Sequence, residues 1–331
     1  MPVRPESASS RSGMALILTL AALTLVGGLL FWIQARAMSA TQGAIHAETE
    51  VRLRAASAEA VRAAMLTLQE DADRDVDSLE EDWAQPQEWT TGDGIAVRTY
   101  TEDAGRFFDW NNVAATQQPD RPARTVLLDL MAACGQLDAD ARVDALTDYV
   151  DSDADGVYED SFYRLADLPF SPPQRPLWAP DELFDIHDFS PEWFVPKAHS
   201  TTDDDGGISG DLLTSCVVVP AAPMASPRPV NLNTANRAVL LGVLGPERES
   251  AVRALMAYRE VQPLQSAGML AAVDSSAAAE LESWVTVASS CFRIRARAAL
   301  PGATSTVTAW VQRETDGSLT LLQWMEEESG A

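Results

Sequence analysis

Histidine and cysteine are scarce in this chain of 331 residues, with three of each. His46, His187 and His199 stand far apart, and no Gly-x-Ser-x-Gly elbow, His-Glu-x-x-His run or paired-cysteine motif accompanies them. The residues that most often move protons or hold zinc are therefore not grouped for hydrolysis, and an enzyme is not expected. Cys134, Cys216 and Cys291 leave one thiol over whichever two pair, and their spacing selects no pair. Basic residues are also few: 24 Lys+Arg stand against 49 Asp+Glu, a formal charge of −25. Phosphate affinity needs clustered cations to displace counterions, so this balance excludes a general nucleic-acid binder and a polybasic membrane-surface protein. Global disorder is excluded too, because 46% hydrophobic and 22% charged residues are the proportions of a folding chain.

The acidity is local. Between Asp129 and Asp211 twenty acids face only Arg142, Arg164, Arg175 and Lys197, which places −16 of the −25 in one segment.

What the sequence does have is a long uncharged run, Met14 to Ile33. Twenty helical residues span about 30 Å, the thickness of a bilayer's hydrocarbon core. Arg4 and Arg11 precede the run and Arg36 follows it, which favours an N-terminus inside and the bulk outside. The run is longer than a secretory signal core and no small-x-small site follows it, so an anchor is expected rather than a removable signal. No proline occurs from there until Pro86, and apolar residues recur at Val51, Ala55, Ala58, Val61, Met65, Leu68, Ala72, Val76 and Leu79. That helical spacing predicts one helix from about Met14 to about Leu79, its first part lipid-soluble and its second amphipathic.

Farther along, Gly94 to Tyr100 alternates as a strand after turn residues Gly92 and Gly94, and Leu127 to Val150 reads as two helices, the first closing at Gly135 and the second capped by Asp138 or Asp140. Ala104-Gly105-Arg106-Phe107-Phe108-Asp109-Trp110-Asn111-Asn112 is expected to be a corner whose asparagines bind their own backbone. Asp151-Ser152-Asp153-Ala154-Asp155-Gly156 fits the opening of a calcium loop, in which alternate acids converge. The twelfth position is Phe162, so Glu159 or Asp160 must close the shell; the candidate ligands are Asp151, Asp153, Asp155, Glu159 and Asp160. Asp203 to Asp205 with Asp211 form a weaker second group, expected to be a loop. Trp178, Phe184, Phe189, Trp193 and Phe194 are expected to fill a small helical core.

Asn231 to Arg259 reads as two helices joined at Gly245-Pro246, the first capped by Asn233 or Thr234, and resembles the helix-hairpin-helix of DNA-binding proteins. A membrane-anchored DNA-binding or uptake protein is the alternative function. Its turn, Leu244-Gly245-Pro246-Glu247-Arg248-Glu249, loses an amide donor to proline and adds two carboxylates, both unfavourable beside phosphate. At the C-terminus, Cys291 to Ala298, Thr304 to Arg313 and Ser318 to Trp324 alternate, with turns at Pro301-Gly302 and Asp316-Gly317, as a three-stranded antiparallel meander.

A helix that starts in the membrane and packs its second half on a globular head resembles the form of type IV pilins and type II secretion pseudopilins. Arg11-Ser12-Gly13 followed by Met14-Ala15-Leu16-Ile17-Leu18 looks like a prepilin peptidase site with cleavage between Gly13 and Met14. Leu18 stands where most members of that superfamily carry glutamate, and this departure is characteristic of the type II secretion system protein K family, the minor pseudopilins. The Gly-Arg-Phe…Asn-Asn corner, the Leu146 to Tyr163 stretch and the Pro176 to Ile186 run also resemble that family's segments. The resemblance covers essentially the whole chain.

It implies an α+β pseudopilin fold: a long transmembrane and amphipathic helix on an antiparallel sheet, with a large all-α insertion of two SAM-like or helix-hairpin-helix-like lobes. The expected units are a leader at 1–13, a membrane helix at 14–33, the first part of the head at 34–118, lobes at 119–220 and 221–288, and the last strands at 289–331. The resemblance further implies a single-pass inner-membrane protein with a periplasmic head, leader removal and methylation by prepilin peptidase, calcium binding, and assembly with minor pseudopilins I and J at a pseudopilus tip. No nucleic acid is expected.

Overall fold

A computed structural model of the chain describes residues 9–115, 119–136, 139–153, 155–166, 171–189 and 227–327. Helix α1 runs from Ser9 to Gln69, 61 residues or about 90 Å at the helical rise. It contains the expected run from Met14 but stops ten residues before Leu79. The reason is local: Asp71 accepts from the Asp73 amide and Asp73 from the Asp75 amide, turns in which short acidic side chains outcompete the helical ladder.

The head is a five-stranded antiparallel sheet in the order β1-β2-β5-β6-β7, formed by Gln87–Thr90, Ala96–Asp103, Cys291–Leu300, Ala303–Arg313 and Leu319–Glu327. The C-terminal meander is as its alternation predicts, and Gly302 and Gly317 both take φ +82 at its turns, a conformation open to glycine at no steric cost. Register is fixed by burial. Val97, Phe292, Ile294, Ala296, Ala298, Val307, Ala309 and Val311 face α1, while Arg293, Arg295 and Arg297 alternate to the other face.

Against them α1 lays Leu53, Ala56, Ala60, Val61, Ala64 and Leu68. The stripe of expected apolar residues is thus rotated: Val51 is exposed, and small residues four apart carry the contact. Alanines let the helix approach the alanine-rich middle of the sheet closely, so volume rather than hydrophobicity selects this face.

Between β2 and β5 lies the helical insertion, with α2 (Ala123–Ala133), α3 (Asp140–Val150), α4 (Asp160–Leu165), α5 (Arg237–Leu244) and α6 (Glu249–Arg259). Val230–Asn231 (β3) and Val285–Thr286 (β4) pair in parallel within it. One buried cluster runs from Val126, Leu127 and Leu130 of α2 to Val239, Val243 and Leu244 of α5. Gly242 makes that contact, because a Cβ there would meet the backbone and side chain of Leu130.

Several local details differ from expectation. Ala139, not an aspartate, precedes α3, and Asp140 sits in its first turn paired with Arg124 at 3.2 Å; Asp138 lies outside the described residues. Asn236 caps α5 by accepting from the Val239 amide at 2.9 Å, because Asn233 and Thr234 are engaged elsewhere. Phe189 is buried, but Trp178 is exposed, stacked under Arg175 at 3.9 Å, and Phe184 is also exposed; Trp193 and Phe194 lie outside the described residues.

Candidate functional site

Two features are candidates for function: the apolar stretch of α1 and the acidic loop between α3 and α4. From Met14 to Ile33 no side chain of α1 is buried; Leu25 is 73% and Phe31 75% exposed. A contiguous apolar surface of this length is incompatible with water and matches a bilayer. Gly13 and Met14 lie within the same helix, and a Cβ on Gly13 would meet nothing within 4 Å. Any effect of Gly13→Ala therefore reports on recognition by another protein rather than on folding.

The corner at residues 104–112 holds the insertion to the head, by means other than those expected. Asp103 and Asp109, not the asparagines, accept from nearby amides, those of Gly105 and Asn111. Asn111 instead reads the peptide group of Leu177, accepting from its N–H at 2.7 Å and donating to its C=O at 3.1 Å. Asn112 does the same to Arg228 at 2.8 and 3.3 Å, and Asn233 to Leu264 at 2.8 and 3.0 Å. Each amide side chain acts as a one-residue strand partner for a segment distant in sequence. The Asn-Asn pair beside Trp110 was the available signal, but its partners are not readable locally.

In the acidic loop, Asp151, Asp153 and Glu159 bring one carboxylate oxygen each within 4.8 Å of the others. Asp155 stays exposed and outside this group, its amide donating to Asp153 at 2.9 Å. Asp160 starts α4, where it pairs with Arg164 and accepts from Ser171 at 2.7 Å. The alternating pattern therefore delivers three of its five acids to one place. A fourth acid, Asp148 of α3, was not foreseen. It accepts from the Tyr158 amide at 2.7 Å, and a Cβ on Gly156 would overlap its carboxylate, so the loop's glycine exists for that close approach.

Asp151 Oδ1 and Glu159 Oε1 are buried without a hydrogen-bond partner. Burial, reinforced by Asp153, Asp148 and Glu159, pushes the Asp151 carboxyl up to about 6. Burial also raises Glu159 and Asp148, each with neighbouring acids adding to the rise. Gathered, partly desolvated carboxylates with orphan oxygens are a donor set for a hard divalent cation, which would supply the missing partner. The residues present fit calcium: all are oxygen ligands, and the orphan atoms belong to two of the three converging acids. The weaker acidic group at Asp203–Asp211 lies outside the described residues.

In the hairpin at Asn231–Arg259 the turn is acidic, and three of the four arginines are held by groups of the protein. Gly245 has φ +101, and a Cβ on it would run into the Glu247 carboxylate, which is folded over the turn. Arg248 is spent on the Leu244 carbonyl, Glu280 and Asp274, Arg237 on Glu249, and Arg259 on the carbonyls of Leu232 and Ala235. Cys134 and Cys291 are free thiols, both pushed up to about 12 by burial; Cys216 lies outside the described residues.

No protein-family model and no curated protein matches this chain. Among solved structures, it is similar to a chain of the GspK–GspI–GspJ complex from the enterotoxigenic Escherichia coli type 2 secretion system, with a TM-score of 0.65 and 19% identity, covering 87% of this chain and 99% of that one. The likeness takes in nearly the whole of that chain, so this protein shares the fold of a component of that complex.

Proposed function

We propose that this protein is a minor pseudopilin of a type II secretion system, a structural and non-enzymatic component of protein export. The observation that carries the reading is α1 itself: one continuous helix whose Met14 to Ile33 stretch is uncharged and exposed and whose C-terminal part is fixed to the sheet by Leu53, Ala60, Ala64 and Leu68. A rigid rod of about 90 Å couples a bilayer to a folded head without a linker. The likeness to a chain of the GspK–GspI–GspJ complex supports the same reading.

In this account prepilin peptidase removes residues 1–13 after Gly13 and methylates the new terminus at Met14. The helix stays in the inner membrane and the head lies in the periplasm. Minor pseudopilins I and J would pack along α1, and the wide insertion between β2 and β5 would obstruct a further subunit above, which supports a position at the pseudopilus tip. Leu18 in place of glutamate fits a subunit with no neighbour ahead whose terminal amine needs neutralising. Calcium held by Asp151, Asp153 and Glu159, with Asp148 bracing the loop, would fix the acidic loop in the calcium-rich outer compartment.

The test is assembly. Co-expressed with pseudopilins I and J of the same secretion system, the full chain in detergent should elute with both as one complex. Elution apart from both, with all three folded, would overturn the proposal.

A further inference from the structure

A second acidic stretch lies between α1 and β1, where Glu70 to Glu81 carries seven carboxylates and one cation, Arg74. Asp71, Asp77 and Glu81 bring one carboxylate oxygen each within 4.8 Å of one another. This place is at the base of the rod, where α1 ends against the sheet. Arg313, at the end of β6, bridges two of the acids: its Nη1 donates to Asp71 Oδ2 at 2.9 Å and its Nη2 to Asp77 Oδ2. The side chains of Arg313, Asp71 and Asp77 are 4%, 8% and 0% exposed. Glu81 accepts from the Ser78 amide at 2.8 Å and from the Trp83 indole at 2.5 Å.

The charges do not balance. With all three carboxylates ionised, they meet one guanidinium and leave −2 in a place with little solvent to screen it. Nor are the acceptors satisfied. Asp77 Oδ2 takes both Arg313 and the Ser289 amide, the latter at 2.6 Å, while Asp77 Oδ1 is buried with no hydrogen-bond partner at all. A buried carboxylate oxygen without a donor is destabilising, unless something absent from the protein chain completes it.

We propose that Asp71, Asp77 and Glu81 hold a divalent cation, calcium by their all-oxygen donor set, with Asp77 Oδ1 as its buried ligand. One such ion cancels the residual charge. It would join the end of α1, through Asp71, to the loop that leads into β1, through Glu81. Asp77 extends the junction further: its carbonyl accepts from Asn231 of the insertion at 3.2 Å, and its carboxylate binds Ser289, just before β5. The ion is thus a clamp where helix, sheet and insertion meet, separate from the acidic loop at Asp151 and independent of the pseudopilin reading.

Trp83, 2% exposed and bonded to Glu81, is a built-in reporter, since indole excitation transfers to a terbium ion bound beside it. The full chain in detergent is stripped with chelator and titrated with terbium and, separately, with calcium. The background is Asp151→Asn with Asp153→Asn, which disables the other loop. In that background terbium emission excited through tryptophan should persist, and calcium should still raise the melting temperature. Adding Glu81→Gln, which leaves both Arg313 pairs intact, should weaken terbium binding at least tenfold. The chelated protein should stay folded, since one like charge goes while one of the two hydrogen bonds from Ser78 and Trp83 is lost. Trp83→Phe should lower the emission while the calcium-induced shift remains. No emission and no calcium shift in the background protein would overturn the proposal, as would a terbium affinity unchanged by Glu81→Gln. A Glu81→Gln protein that is unfolded in chelator would also overturn it, because the carboxylate would then be serving the fold rather than a cation.

Discussion

Replacing Asp151 and Asp153 by asparagine should change stability with opposite signs in chelator and in calcium. Without metal, Asp151, Asp153 and Glu159 repel one another with oxygens no more than 4.8 Å apart. Each pair costs about 1 kcal/mol at the dielectric of water and about 3.5 kcal/mol at an effective value of 20. Asp153 is exposed, so the lower figure applies to its pairs, and screening leaves a relief of about 1–2 kcal/mol for the double variant. Asparagine keeps the oxygen that accepts from the Asp155 amide, so the turn survives. At calcium a hundredfold above its dissociation constant the parent gains about 2.7 kcal/mol and the variant gains none from this loop. At about 2–4 °C per kcal/mol for a chain of this size, the parent should rise by about 5–11 °C with calcium from this loop. In chelator the variant should melt about 2–8 °C above the parent. Differential scanning fluorimetry of the detergent-solubilised chain measures both. A variant less stable than the parent in chelator, or one that keeps the parent's full calcium shift, would refute the reasoning.

Other consequences are smaller in scope. Gly156→Ala should drive a Cβ into the Asp148 carboxylate, costing about 1–3 kcal/mol and at least tenfold in calcium affinity by titration calorimetry. Asn112→Ala should remove the partner of the part-buried N–H and C=O of Arg228 and lower the unfolding free energy by about 1–2 kcal/mol, read as a fall in urea midpoint; Asn112→Asp should recover the amide bond alone. In chelator, stability should fall as pH rises from about 4 to 7. Burial lifts Asp151 to about 6 and Asp77 to about 7, so the folded state holds protons that the unfolded chain has released. Thermal scans that show stability rising across that window would contradict the cluster's electrostatics. Filter binding at low salt should find no salt-sensitive affinity for DNA, since three of the hairpin's four arginines, Arg237, Arg248 and Arg259, are held by groups of the protein and its turn carries Glu247 and Glu249.

The parts legible in the sequence are those governed by neighbours along the chain. The apolar run from Met14, the alternation of β5 to β7, and the glycines at positions 302 and 317 each carry their own physical reason. The end of α1 was not legible, because apolar spacing continues through Ala72, Val76 and Leu79 while aspartate side chains at positions 71 and 73 capture the backbone. The buried face of α1 was legible at Val61 and Leu68 but not at Leu53, Ala56, Ala60 and Ala64, which pack on the sheet while Val51 and Ala55 are exposed, since a sheet rich in alanine admits small partners closely. The asparagine staples required knowledge of Leu177, Arg228 and Leu264, which lie 66, 116 and 31 residues from the asparagines that read them.

The acidic loop shows the same division. Alternation brought Asp151, Asp153 and Glu159 together, but helix α4 claimed Asp160 and solvent kept Asp155. The missing member, Asp148, sits one turn back on α3, outside the motif's span. The convergence of the carboxylates at the base of α1 is not legible in the sequence, because it depends on the chain reversing after Gln69 and on Arg313 arriving from β6.

The central claim is that the chain is processed and inserted as a pseudopilin, and the mature N-terminus tests it most directly. The protein should be recovered from membranes of a cell that carries the secretion system, and its first residues sequenced. The account predicts a methylated Met14 at the terminus, and an uncleaved chain when Gly13→Ala is introduced into an otherwise unchanged helix. A natural protein that begins at Met1, or after a signal-peptidase site near Ala40, would contradict it.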